Sequence, residues 1–451
     1  MKRTLQEAAS AIGGTLVGDD RPFGAVSSDS RTLPAGALFV ALRGPNFDGA
    51  QFVAAAAQRG AVGALLQAAI PGAPIPQIVV PDTLDALQRL ARAWREQFSI
   101  PIVGVGGSNG KTTAKEMTAA ILSRRGSCLA TRGNLNNHIG VPLTLLRLEP
   151  GHRSAVIEMG ANRIGDVAEL VRLARPSVGF ITNAGAEHLE GFGDLDGVAR
   201  GEGEMAAGLE ADAAAVINAD DAYANYWRGV ASASRIVTFG LAHAAEFTAL
   251  SPAQEIDRGE FVTRFTLDCP LGERAIVLKA GGAHNISNAL GAAAAASAAG
   301  ASLEDIAAGL GDFRAVAGRL QLKPGLKGSW IIDDSYNANP SSVRAGLDVL
   351  KAVAGDTWLV LGDMAELGAH TEQSHADLGS YARRCGVKRL FAFGPQSSRA
   401  AETFGSGAEW FPDAESLMRR LQAQIAPGVT VLVKGSRVNR LERVVQALGT
   451  G

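Results

Sequence analysis

A basic excess, paired cysteines and long apolar runs are all missing from this sequence. Its 43 lysines and arginines against 45 acidic residues leave a formal net charge of -2, which gives no electrostatic footprint for a nucleic-acid partner. Cys128, Cys269 and Cys385 lie far apart with no C-x-x-C pair, so neither a disulfide framework nor a zinc site is indicated, and they read as small apolar residues. No uncharged apolar run reaches the ~18 residues of a membrane helix, and the opening MKRTLQEAAS lacks the apolar centre of a secretory signal. The expectation is a cytoplasmic protein without membrane insertion.

What the sequence has instead is 47% hydrophobic residues and 54 glycines in 451 positions. That balance suits compact α/β folding more than disorder, and the length suggests about three domains, each able to hold its own core. Up to Phe98, short strand-like runs (ALFVAL, GALLQ, QIVV) alternate with helical FVAAAAQRGA and LDALQRLARAWREQF. SIPIVGV then opens a βαβ series continued by AVIEMG, VGFITNAG and AAVIN, with helical DVAELVRLAR between strands, as a parallel sheet requires. The alternating stretch FTALSPAQEIDRGEFVTRFTLDCPLGERAIVL reads as hairpins, and HNISNALGAAAAASAAGA as a buried helix. A third series, WIIDDSYN, TWLVLGDM, RLFAFG and VTVLVKG, begins after Ala315. The units are therefore set at residues 1–98, 99–314 and 315–451.

The chemistry starts at GGSNGKTT, residues 106–113. A buried strand passing through glycines into a helix start aims successive backbone N–H groups at an anion, with the helix dipole behind them. Lys111 would reach the terminal phosphates of a nucleotide, and Thr112 or Thr113 would place a hydroxyl on magnesium. The usual G-x-x-x-x-G-K-[ST] spacing would need glycine where Val105 stands, so the match is GxxGKTT. The plainer reading is a glycine turn with a solvated lysine. Glu158 ends the strand AVIEMG, where ligands sit in open α/β sheets, and is either a magnesium ligand or a solvated strand end. His188, in the loop NAGAEHLEGFG, is either functional or polar surface.

Eight segments, GGSNGKTTAKEM, GNLNNHIGVPLTLLRL, VIEMGAN, AEHLEGFG, GGAHNISNAL, DDSYNANP, GDMAELG and VKGSR, occur here in the order in which they occur in the Mur ligases, and the chain resembles that family over nearly its whole length. The amino-terminal SSDSRTLPAGALFVALRGPNFDGAQF is similar to the family's uridine-nucleotide region. The resemblance implies an α/β protein of three domains: a central P-loop-type, mostly parallel sheet, an N-terminal UDP-binding domain and a C-terminal Rossmann-like domain. It implies a monomer using ATP and Mg2+ to join UDP-N-acetylmuramoyl-tripeptide to D-alanyl-D-alanine through an acyl phosphate. Positioning and charge neutralisation carry such phosphoryl transfer.

Residue by residue, the resemblance assigns Gly107, Asn109, Gly110, Lys111, Thr112 and Thr113 to the ATP loop, and Glu158 and His188 to magnesium. It assigns His284 and Asn285 to adenine, Arg319 to nucleotide phosphate and Asp334 to ribose. Lys434, Ser436 and Arg437 of VKGSR would face the cleft from the far side, with a surface ion pair as the plainer reading for the two cations. Tyr336, Asn337 and Asn339 would bind the dipeptide or shape their loop. Asp29, Ser30 and Arg31 would meet uridine. Asn134, Asn136 and Asn137 would line the acceptor peptide, or make Asx-turns.

One stretch departs from the family. Where a pattern like A-K-A-K-G-E carries a lysine that several members carbamoylate to bind a second magnesium, this chain reads VARGEGEM, with Arg200 and Glu202 at the lysine positions. Glu202 either supplies the carboxylate directly or is a solvated helix residue, with Glu204 the alternative in a shifted register. Competing readings of the whole are a sister ligase that adds one amino acid (the third-residue Mur ligase or folylpolyglutamate synthase) and a non-catalytic ATP-binding scaffold.

Overall fold

A computed structural model describes residues 3–450 except Pro45 and Ser234. Its centre is a six-stranded, wholly parallel sheet in the order Cys128–Ala130, Ser154–Glu158, Ile102–Gly106, Val178–Ile181, Ala214–Asn218, Arg235–Phe239. Every residue of Ile102–Gly106 is buried, as expected of a strand covered on both faces. This first strand lies between the third and the fourth in chain order. Its carboxyl end is therefore the point where the winding of the sheet reverses, and there the crevice for a ligand opens.

The stretch read as hairpins is an antiparallel sheet of Thr248–Asp257, Glu260–Cys269 and Gly272–Leu278. The alanine-rich helix Ala283–Ala298 lies buried against the helix Lys111–Leu122 and the central sheet. The amino-terminal sheet runs Thr15–Val17, Gln77–Val79, Gly63–Leu66, Ala37–Val40, Ala25–Ser27, antiparallel only at its first pair. The last sheet runs Gln321–Pro324, Trp330–Asp334, Val429–Lys434, Asp356–Gly362, Arg389–Phe393, Ala408–Phe411. Its edge strand Gln321–Pro324 is antiparallel and the other five are parallel, with a separate apolar core on each face. Among the described residues no helix is long and apolar enough to cross a membrane.

Each of the first two units has an apolar core of its own, and the two share a further cluster. Leu5, Leu38, Leu87, Leu90 and Trp94 belong to the same continuous apolar cluster as Leu145, Ile157, Leu170 and Trp227. The reason lies in the helix Thr83–Arg95, capped by Asp82. Its apolar stripe is wide enough to cover its own sheet and the neighbouring unit together. Trp94 Nε1 donates to the Leu148 carbonyl at 3.0 Å, and Arg95 bonds the Ala174 and Arg175 carbonyls that end the helix Asp166–Ala174.

Leu90→Ala should therefore destabilise the amino-terminal and central units together, by about 2–5 kcal/mol. Scanning calorimetry should show one shared transition moved to lower temperature and the carboxyl-terminal unit unaffected.

Candidate functional site

The loop after Ile102–Gly106 is held by its own backbone and by the next strand end. Gly107 and Gly110 have φ of +110° and +83°, and a Cβ would stand 2.1 Å from Thr182 Oγ1 at the first and 2.3 Å from Asn288 Oδ1 at the second. Only glycine fits either place. Asn183 receives the Asn109 N–H at 3.0 Å, and Thr182 Oγ1 donates to the Asn109 carbonyl at 2.7 Å. The helix begins at Lys111.

Three carboxylates gather round this lysine. Its Nζ bonds the Gly107 carbonyl, the Ser108 carbonyl at 3.1 Å and Glu187 Oε1 at 3.1 Å. Burial works against the ammonium charge, but Glu187, Glu202 and Glu158 outweigh it and hold the pKa above the ordinary lysine value. Glu202, fully buried on the helix Leu195–Ala207, accepts the Gly107 N–H at 2.6 Å. Desolvation pushes its pKa up to about 7, against the pull of Lys111.

Glu158 Oε1 accepts from Asn136 Nδ2 at 2.9 Å and from Thr112 Oγ1 at 3.3 Å. Its Oε2 is buried with no hydrogen-bond partner among the described residues. Arg319 Nη2 donates to Thr112 Oγ1 at 3.2 Å, and its guanidinium lies 4.3 Å from the Tyr336 ring centroid. On the far side Lys434 Nζ bonds Asp334 Oδ2 at 2.5 Å and the Asn337 carbonyl at 3.0 Å. Desolvation raises the Asp334 pKa and lowers that of Lys434. Desolvation, with Lys434 nearby, pushes His284 down to about 4, so it is neutral near pH 7. A cavity of about 340 Å³ joins these parts: Asn109, Gly110 and Thr113 on one wall, His284 and Asn285 at the helix start, Arg319, Asp334, Asn337 and Lys434 opposite.

Of the four residues expected at magnesium, Thr112 Oγ1 and Glu158 Oε1 lie 3.3 Å apart, and among the described residues no group of three histidine, cysteine or acidic side chains is placed to hold a metal ion. His188 Nδ1 pairs with Glu366 of the carboxyl-terminal unit, and Glu202 is buried, not solvated, with one of its oxygens accepting the loop N–H. Glu204 instead caps the helix Asp166–Ala174 through Gly165 N and Ala168 N, and Arg200 is exposed. Ser436 does not face the cleft. Its hydroxyl donates to the Ala338 carbonyl and accepts from Ala365 N, while Arg437 pairs with Glu442 at 3.2 Å.

Asn339 takes the turn-forming role, capping the helix Pro340–Lys351, and Asn137 Oδ1 likewise receives the Ile139 and Gly140 N–H groups. Asn134 is exposed. Asp29 and Arg31 form a two-pronged ion pair in the amino-terminal unit, with Ser30 between them, and the Arg31 hydrogen bond holds the Asp29 pKa at about 2. These three residues do not line the cavity. Sequence reasoning missed Glu187, Ser341 and Glu366. Glu187 sits in the quoted AEHLEGFG, and asking what neutralises a buried Lys111 would have drawn attention to it.

A glycine loop at the reversal point of a parallel sheet, faced by a second α/β unit across one cavity, defines a mononucleotide-binding protein whose site lies between two units. The sequence matches the Mur ligase middle domain over residues 105–296, the Mur ligase glutamate ligase domain over 318–437 and the Mur ligase family catalytic domain over 23–95. It is 43% identical over 448 residues to the UDP-N-acetylmuramoyl-tripeptide--D-alanyl-D-alanine ligase of Escherichia coli K12, covering 99% of this chain and 98% of that one. The ligase of the same name from Bacillus subtilis is 33% identical, over 99% and 98%. Among solved structures, MurF from Acinetobacter baumannii superposes with a TM-score of 0.92 at 33% identity, covering 99% and 98%. MurF of Thermotoga maritima in complex with ADP gives 0.82 at 27%, covering 94% and 96%. The chain belongs to the Mur ligase family.

The raised Glu202 pKa sets the sign of a pH effect. A carboxyl held above its unfolded value favours the folded state below the unfolded pKa, and that advantage is lost as pH rises through about 7. Glu202→Gln keeps an acceptor oxygen for Gly107 N and cannot ionise. It should be more stable than wild type at pH 8, by about 3 kcal/mol at most, with the difference gone near pH 4 in denaturant titrations.

Proposed function

We propose that this protein is an ATP-dependent ligase that joins D-alanyl-D-alanine to UDP-N-acetylmuramoyl-tripeptide in cell-wall precursor synthesis, working as a cytoplasmic monomer. The observation that carries the reading is the cavity between the Lys111 loop and Asp334–Lys434, taken with full-length similarity to ligases of that activity.

In this reading ATP lies across the cavity. Loop N–H groups and Lys111 hold its β- and γ-phosphates, the helix dipole favours the same charge, neutral His284 and Asn285 meet adenine, and Asp334 meets ribose. A carboxylate oxygen of the tripeptide attacks the γ-phosphorus, and the bond from that phosphorus to the bridging oxygen breaks, releasing ADP. The dipeptide amine then attacks the acyl carbon, the carbon–oxygen bond to phosphate breaks, and the amine loses a proton as the amide forms. Lys111 and Arg319 neutralise charge on the transferred phosphoryl group, so that positioning supplies most of the rate. Docking of the carboxyl-terminal unit keeps water from the acyl phosphate.

The orphaned Glu158 Oε2, with Thr112 on the same carboxylate, fits Mg2+, which takes one or two carboxylates and keeps its other positions for water and phosphate. Bound there, the ion withdraws charge from phosphate oxygens. Asp29, Ser30 and Arg31 serve the uridine end, Asn136 the acceptor peptide, and Tyr336 with Asn337 the dipeptide.

Purified protein with ATP, magnesium and UDP-muramoyl-tripeptide should release phosphate only when D-alanyl-D-alanine is present, and form the pentapeptide. Release with a single amino acid would indicate a sister ligase, and no release under any combination would indicate a nucleotide-binding scaffold. Because Glu202 stands where the family carries its modified lysine, removing bicarbonate should leave the rate unchanged. A strong bicarbonate dependence would contradict the reading that the Glu202 carboxylate does the work of that modified lysine.

A further inference from the structure

The carboxyl-terminal unit touches the phosphate loop itself. Asn339, at the start of the helix Pro340–Lys351, donates through Nδ2 to Asn109 Oδ1 at 2.8 Å, and Asn109 Nδ2 donates to Ser341 Oγ at 3.0 Å. Both bonds connect residues more than two hundred positions apart, in two different units. Asn339 Nδ2 also lies 3.5 Å from Glu187 Oε2, whose other oxygen holds Lys111 at 3.1 Å. One unbroken line of contacts thus runs from Ser341 through Asn109, Asn339 and Glu187 to Lys111, the lysine of the glycine loop. The Glu187 and Lys111 side chains are 10% and 15% exposed, so their attraction is little screened by water.

Gly185 shows how close this approach is. A Cβ there would stand 2.6 Å from Asn109 Nδ2 and 2.8 Å from Ser341 Oγ. Its φ lies outside the left-handed region, so the backbone would accept alanine. A side chain there would have to displace the Asn109 amide and the Ser341 hydroxyl, the two groups that bond each other across the seam.

We propose that Glu187 is a positioning residue that couples docking of the carboxyl-terminal unit to the placement of Lys111. With the seam closed, Asn339 and Asn109 fix the Glu187 carboxylate and the loop, and the ammonium is aimed at the nucleotide. With the seam open, Glu187 and Asn109 lose Asn339, and the loop still binds nucleotide but with the lysine less well directed. Phosphoryl transfer is then confined to the docked state, where water is excluded. This rests on the ligase reading above for its readout, but ATP binding tests the loop separately.

The test compares Glu187→Gln, which removes the charge at constant shape, with Gly185→Ala, which wedges the seam and leaves every charge in place. For each, kcat, KM and the Kd of ATP for the free enzyme are measured, and a melting curve confirms folding. Each single variant should lose about 10²-fold in kcat, the scale of a misplaced reacting group, with the Kd of ATP within about threefold of wild type. The double variant should be no slower than the worse single one, since both break one coupling. Glu187→Gln with kcat within about twofold of wild type would overturn the proposal, as would a double variant whose losses multiply. If the wild type accepts a single amino acid in place of the dipeptide, the functional reading fails, while the coupling is measured with that amine and judged by the same criteria.

Discussion

The ammonium of Lys111 is the charge round which the rest of the site is arranged. Buried at a helix start, it would be costly without counter-charges, and Glu158, Glu187 and Glu202 supply them from three separate segments. Those segments meet because the sheet is parallel. The strands Ile102–Gly106, Ser154–Glu158 and Val178–Ile181 all end on the same edge, so the residues that follow them share one crevice. An antiparallel arrangement of the same strands would send alternate loops to the opposite edge. The three acids differ in role because their surroundings differ. Glu202 is tied to the Gly107 N–H, Glu187 to the lysine itself, and Glu158 keeps one oxygen without a partner among the described residues.

The two interfaces of the central unit differ in character beside the cavity, although Phe261 of the central unit packs into an apolar cluster of the carboxyl-terminal one. Towards the amino terminus it shares an apolar cluster, sealed by Trp94 and Arg95, and separating the two would expose that core to water. Towards the carboxyl terminus the contacts beside the cavity are polar: Asn109 with Asn339 and Ser341, Thr112 with Arg319, His188 with Glu366. Polar contacts exchange with water at small net cost, and units joined in this way are expected to move relative to each other. The amino-terminal unit is therefore a fixed extension of the central one, and the nucleotide cavity lies at the seam that can open.

The parts of the site most legible in the sequence were those with local geometry. GGSNGKTT specified its own turn, because positive φ at Gly107 and Gly110 admits no side chain, and the strand before it and helix after it were written in the residue pattern. The hairpins and the alanine-rich helix were readable for the same reason. Partner choice was less legible. Asn136, Asn137 and Asn339 look alike in sequence, yet one bonds Glu158, one receives backbone N–H groups and one caps a helix while reaching across the seam. Ser436 lies in a family motif but is used up by backbone groups.

Sequence alone determined the series of α/β elements, the nucleotide loop and the family, because glycine conformations, apolar periodicity and motif order are properties of neighbouring residues. Tertiary structure decided what Glu202 touches, that Glu187 holds Lys111, and that the first two units share an apolar cluster besides their own cores. Each of these depends on groups tens to hundreds of residues apart meeting in a space from which water is excluded, where a carboxylate must find a donor or a cation or else be raised towards its neutral form. Which partner it finds follows from the strand order of the sheet, and no local stretch of sequence carries that information.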